Sequence, residues 1–119
     1  MAIYDNLPVY KQAYDLLLDL YSLSKNLSRD YRYTLGEETK RRLIDLMLCI
    51  YHANKSKNDE KLNHLKEARE YIVELKLFIR LLRDLKQIRV ERLALLTEKI
   101  ESISKQLTAW ERSTKKSSI

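Results

Sequence analysis

A single glycine, Gly36, and a single proline, Pro8, occur in 119 residues. Turns depend on these two residue types, because glycine supplies positive φ and proline presets φ near −65°. A chain so poor in both makes few turns and must be built from long elements. That argues for helices and against a sheet topology. The length suits one domain, with a core that needs neither a metal nor a disulfide.

Hydrophobic periodicity divides the chain into four helices. Pro8 suits the first turn of a helix, where its missing N–H costs nothing, and Val9, Ala13, Leu16, Leu20 and Leu27 form one face over 8–27. Residues 28–34 read as a loop, closed by a capping box in which Thr34 and Glu37 each satisfy an orphan N–H. The second helix, 35–54, carries Leu43, Leu46, Met47, Ile50 and Ala53. A polar turn over 55–59 follows, with Asn58 or Asp59 as the cap of a third helix, 59–85. Its stripe is Leu65, Ala68, Ile72, Leu75, Ile79 and Leu82. The connection 86–89 has no glycine, proline or good cap. The fourth helix, 89–112, carries Leu93, Leu96, Ile100, Ile103, Leu107 and Trp110. Residues 1–7 are a short arm, and 113–119 (Ser-Thr-Lys-Lys-Ser-Ser-Ile) read as a disordered tail. Steps alternating three and four, joined by short loops, predict an all-α, antiparallel up-down-up-down four-helix bundle.

Two helices carry more apolar surface than one bundle needs. A bundle helix requires an apolar arc of a little over about 100°. In the second helix Ile44, Leu48 and Tyr51 widen the arc to roughly 200°, at about 100° per residue. In the third, Tyr71, Phe78, Leu81 and Leu85 do the same. Surplus of this kind marks an interface, and self-association is the economical reading; the alternative is that these two helices are the more enclosed pair. Tyr10, Tyr14 and Tyr21 share one line of the first helix, either fencing a core or interface edge or offering rings to bases.

The chain is basic, with a formal net charge of +6, which favours polyanionic partners without proving them. Arg69, Lys76, Arg80 and Arg83 fall within roughly 60° of the third helix at about 100° per residue. Glu70 and Asp84 stand to one side, and nothing acidic sits at the centre of the line. Such a ridge either tracks phosphates or acidic groups of a partner, or is a solvated face whose stems cover core edges. Arg29 and Arg32 in the first loop are a weaker second group.

No catalytic or metal site is legible, and no cofactor motif. The two histidines, His52 and His64, lie on different helices without the Glu-x-x-His pairing of di-iron bundles. One cysteine and two histidines are too few for a structural zinc site, and one glycine cannot make a phosphate loop. Cys49 lies between Leu48 and Ile50 and reads as a buried thiol. No apolar run approaches the ~18 residues of a membrane span, and no signal-peptide pattern opens the sequence, so a cytoplasmic, non-enzymatic protein is expected.

Five phrases, in order, carry a family resemblance: Ala13-Tyr14-Asp15-Leu16-Leu17-Leu18; Arg29-Asp30-Tyr31-Arg32-Tyr33-Thr34-Leu35-Gly36; Ala53-Asn54 followed by Lys55-Ser56-Lys57; Arg80-Leu81-Leu82-Arg83-Asp84-Leu85-Lys86; and Gln106-Leu107-Thr108-Ala109-Trp110. Over about residues 8–112 the chain resembles the accessory variability determinant (Avd) proteins of diversity-generating retroelements. The broader group includes four-helix bundles encoded by intervening sequences of 23S ribosomal RNA genes. Those usually show Asn-Ile-Ala-Glu-Gly in the second helix, where this chain has Ile50-Tyr51-His52-Ala53-Asn54; the departure favours the retroelement branch. The resemblance implies a ring-like homo-oligomer, a pentamer, with no chemistry of its own. It also implies two partners, the element's reverse transcriptase and RNA or DNA. It extends a partner-binding role to Arg80 and Arg83; Arg69 and Lys76 join them only through the shared line. The rival is an interaction protein of the intervening-sequence type with no polymerase partner.

Overall fold

The computed structural model describes residues 3–117. A single 3-10 turn, Tyr4–Asn6, leads into α1 (Pro8–Ser24). A one-turn helix, Arg29–Arg32, precedes α2 (Leu35–Lys55). Then come α3 (Asn58–Asp84) and α4 (Val90–Ser117). No strand occurs among the described residues. Each long helix packs on the next, and α4 closes against α1. The result is the all-α four-helix bundle that the periodicity predicts, a rod of 49 × 20 × 20 Å.

The core is the four stripes facing one another. Leu16, Leu43, Leu46, Ile50, Leu65, Leu75, Ile79, Leu82, Leu96, Ile100, Ile103 and Leu107 are fully buried, and each such side chain contributes about 2 kcal/mol relative to exposure. Ala13, Ala53 and Ala68 are buried among them and let the helix backbones approach. Polar ties run along the seams. Arg42 on α2 reaches Glu74 on α3 at 2.8 Å; on the α1–α4 seam Asp19 pairs with Lys99 and Gln12 accepts from Ser102 and Gln106.

Several local expectations are corrected at the helix ends. The first loop is partly helical, through Arg29–Arg32. The Thr34–Glu37 capping box does not form: Thr34 Oγ1 donates back to the Asp30 carbonyl at 2.8 Å, and Glu37 takes Lys40 at 3.0 Å. Neither Asn58 nor Asp59 caps α3; the N-cap is Lys57, without a side-chain bond, and Asn58 is left-handed with φ 52°. Gly36 admits the start of α2 to its loop, because a Cβ there would stand 2.9 Å from Leu27 Cδ1 and 3.2 Å from the Tyr31 carbonyl.

The uncapped connection after α3 has a definite solution. Gln87 N–H donates to the Leu82 carbonyl and Lys86 N–H to that of Arg83, with Lys86 at φ 61°. This is a Schellman closure with lysine where glycine is usual. The expected disordered tail is also corrected. Helix α4 continues to Ser117, and within its last turns Glu111 and Thr114 are buried, Glu111 against Arg69 of α3. The rest of the tail, 118–119, and residues 1–2 of the arm lie outside the described residues.

Candidate interaction surfaces

The cationic line of α3 faces α4, and the fourth helix supplies the acids that the local sequence around it lacks. Arg69 Nη1 meets Glu111 Oε1 at 3.0 Å, and Lys76 pairs with Glu101. Arg83 leans on its neighbour Asp84 at 3.0 Å. Arg80 is exposed and has no ion partner among the described residues. Glu111 is buried, which by itself raises its pKa, but hydrogen bonds from Arg69 and Lys115 outweigh that and hold it below the ordinary value. These cations therefore divide, three neutralised within the protomer and one free.

The first-loop arginines divide the same way. Arg32 turns inward and donates to the carbonyls of Lys25 and Leu27, at 3.1 and 3.2 Å, closing the end of α1; its Nε is buried without a partner. Arg29 is exposed and unpaired among the described residues. A bond of 2.8 Å from Ser28 N–H to Gln87 Oε1 ties this loop to the α3–α4 connection. A hollow of about 480 Å³ opens there, lined in part by Asn26, Gln87, Arg89 and Arg92. Sequence reasoning missed Arg89 and Arg92, which meet Asn26 at this hollow only because two distant loops come together.

The six apolar candidates separate into two surfaces and a seam. Ile44, Leu48 and Tyr51 line a groove of about 450 Å³ between α1 and α2, opposite Tyr10, Tyr14 and Leu17. Tyr4 packs edge-on against both Tyr10 and Tyr51, at 5.1 and 4.9 Å, and floors one end. Tyr71 and Phe78 are partly buried; Phe78 lies under the Arg42 guanidinium at 5.1 Å. Leu81 is exposed, and beside it stand Val73 and Leu77, 63% and 60% exposed. Sequence reasoning passed over those two, although steps of four from 73 to 77 to 81 place them on one line.

Burial pushes the Cys49 thiol up to about 12, with Glu67 and Asp45 adding to the effect, so it is no nucleophile at neutral pH. His52 stacks on His64 with ring centres 5.3 Å apart. Among the described residues no three His, Cys, Asp or Glu side chains are grouped to hold a metal, and no helix is long and apolar enough to cross a membrane.

The model of a family described as bAvd-like matches residues 7–114. Among curated proteins none matches significantly. One similar solved structure is a protein of unknown function from the S23 ribosomal protein family, from Bacteroides thetaiotaomicron VPI-5482. It superposes with a TM-score of 0.80 at 18% identity, over 92% of this chain and 99% of that one. At that identity the likeness is one of fold.

Proposed function

This chain belongs to the bAvd-like family, and on that premise we propose that it is a non-catalytic accessory protein of a diversity-generating retroelement. In this reading it is a cytoplasmic homo-oligomer, a pentamer by family resemblance, that holds the element's reverse transcriptase and RNA or DNA during mutagenic copying. The family match over nearly the whole chain carries the proposal. Two features of the protomer support it. Large apolar side chains stand exposed on α1, α2 and α3, more than a solitary bundle has use for. The net charge of +6 is repeated in every copy, so weak phosphate contacts add through multivalency.

Of the cations first considered for that contact, Arg80 and Arg29 serve it best, being exposed and unneutralised, with Arg83 beside them. Arg69 and Lys76 act mainly as ties to α4, and Arg32 mainly as a cap. For self-association Ile44, Leu48, Tyr51 and Leu81 contribute most, and Tyr71 and Phe78 only their exposed edges.

The test is a search for a reverse transcriptase reading frame beside this gene, followed by co-expression of the two. Co-purification of the two, with nucleic acid, is expected. If no such reading frame adjoins the gene, or the chain purifies alone beside an active polymerase, the intervening-sequence type of interaction protein replaces this reading.

A further inference from the structure

Two exposed helix faces of this protomer match each other. On α2, Arg41, Ile44, Leu48, Tyr51 and Lys55 follow in steps of three and four and share one line. On α3, Glu70, Val73, Leu77, Leu81 and Asp84 do the same. Both lines are apolar in the middle and charged at the ends, with cations on α2 and carboxylates on α3. The two charges are equally far apart in both lines, about 21 Å at ~1.5 Å per residue.

None of these charges is deeply committed within the protomer. Arg41 and Glu70 are exposed and have no ion partner among the described residues. Lys55 rests on the Tyr51 ring at 4.8 Å, and Asp84 on the adjoining Arg83. The shapes differ in a useful way. The α2 line walls the groove it forms with α1, whereas Val73 and Leu77 project from α3 on the side away from its buried stripe. Within one molecule both lines point outward, so they cannot meet.

We infer that the α3 ridge of one copy seats in the α1–α2 groove of the next, giving a head-to-tail assembly. This deepens the homo-oligomer reading above and rests on it. Glu70 and Asp84 of one copy then face the cationic ends of the neighbouring groove. A two-fold contact of either face with itself would set like charges opposite one another, which disfavours it. Helices α2 and α3 are adjacent in the bundle, so the two faces occupy neighbouring corners and successive copies turn in one sense. A turning head-to-tail contact closes into a ring when the rotation allows. Arg80 lies on the flank of the ridge toward α4, at the rim of the contact, and stays open to a polyanion.

The test uses the full chain and light scattering. Leu48→Glu breaks the groove and Leu77→Glu breaks the ridge; both positions are at least half exposed, and circular dichroism verifies that the helices persist. The wild type is expected at a multiple of 14.3 kDa and each variant as a monomer. Mixing the two variants is expected to give a one-to-one pair and nothing larger, since only one intact groove meets one intact ridge. Arg41→Glu with Lys55→Glu, and Glu70→Lys with Asp84→Lys, serve as a second set: each pair weakens assembly at least tenfold, and all four changes in one chain restore it, because both ends of each line are then reversed together. A mixture that stays monomeric overturns the head-to-tail contact. Variants that both keep the wild-type mass overturn it too, while leaving the homo-oligomer reading standing. A monomeric wild type removes both.

Discussion

Arg69 on α3 and Glu111 on α4 meet at 3.0 Å, and the carboxylate, buried to 7% side-chain exposure, is also held by Lys115 at 3.2 Å. This contact ties the first half of α3 to the last third of α4.

Removing Arg69 leaves a buried carboxylate with one partner. Arg69→Met is expected to destabilise the bundle by about 1–2 kcal/mol, below the roughly 3–5 kcal/mol of a fully buried pair because Arg69 itself is half exposed. Glu111 has a folded pKa below its ordinary value of 4.5. Its contribution is therefore fully present above that value and is lost as pH falls through the folded pKa. Urea melts between pH 3 and 7 check this: Glu111→Gln is expected to flatten the acid limb, and an unchanged slope would refute the assignment.

The αL lysine at the end of α3 carries a conformational cost. Lys86→Gly keeps the Schellman bonds of Gln87 and Lys86 and is expected to stabilise the protein by about 0.5–1 kcal/mol. Chemical denaturation measures it; a loss of stability would mean the Lys86 side chain supports something beyond its backbone.

At Gly36 the direction reverses. Alanine there improves helix propensity by up to about 1 kcal/mol, but its Cβ meets Leu27 and the backbone oxygen of Tyr31. The Leu27 tip can move aside and the carbonyl cannot, so Gly36→Ala is expected to lose about 1 kcal/mol net. The thermal midpoint reports it.

How much of this was legible in the sequence differs by level. The bundle was, because Leu65, Ala68, Ile72, Leu75, Ile79 and Leu82 repeat at helical spacing and need no knowledge of their partners. The helix ends were not: Thr34 bonds backward to Asp30, and Lys86 takes a conformation usually reserved for glycine. The cationic line was legible as a line but not in its state, since Glu101 and Glu111 come from a helix that only folding brings alongside. The exposed surplus on α2 was anticipated through Leu48, whereas Val73 and Leu77 were missed beside the core stripe they oppose.

The division of the cations gives a binding prediction. Arg80→Glu and Arg29→Glu are expected to weaken nucleic-acid binding and to lower the salt slope by roughly 0.7–0.9 for each phosphate that is no longer neutralised. Arg69→Met is expected to leave the slope nearly unchanged. Affinities measured across a salt series separate the two; equal losses at all three positions would dismiss the distinction between free and neutralised arginines.

The most direct measurement is the mass of the particle obtained when the chain and the reverse transcriptase of the proposed element are purified together. The account predicts one particle holding several 14.3 kDa chains with the polymerase and bound nucleic acid. A chain that elutes by itself at 14.3 kDa, with the polymerase fully active elsewhere in the column, would contradict it.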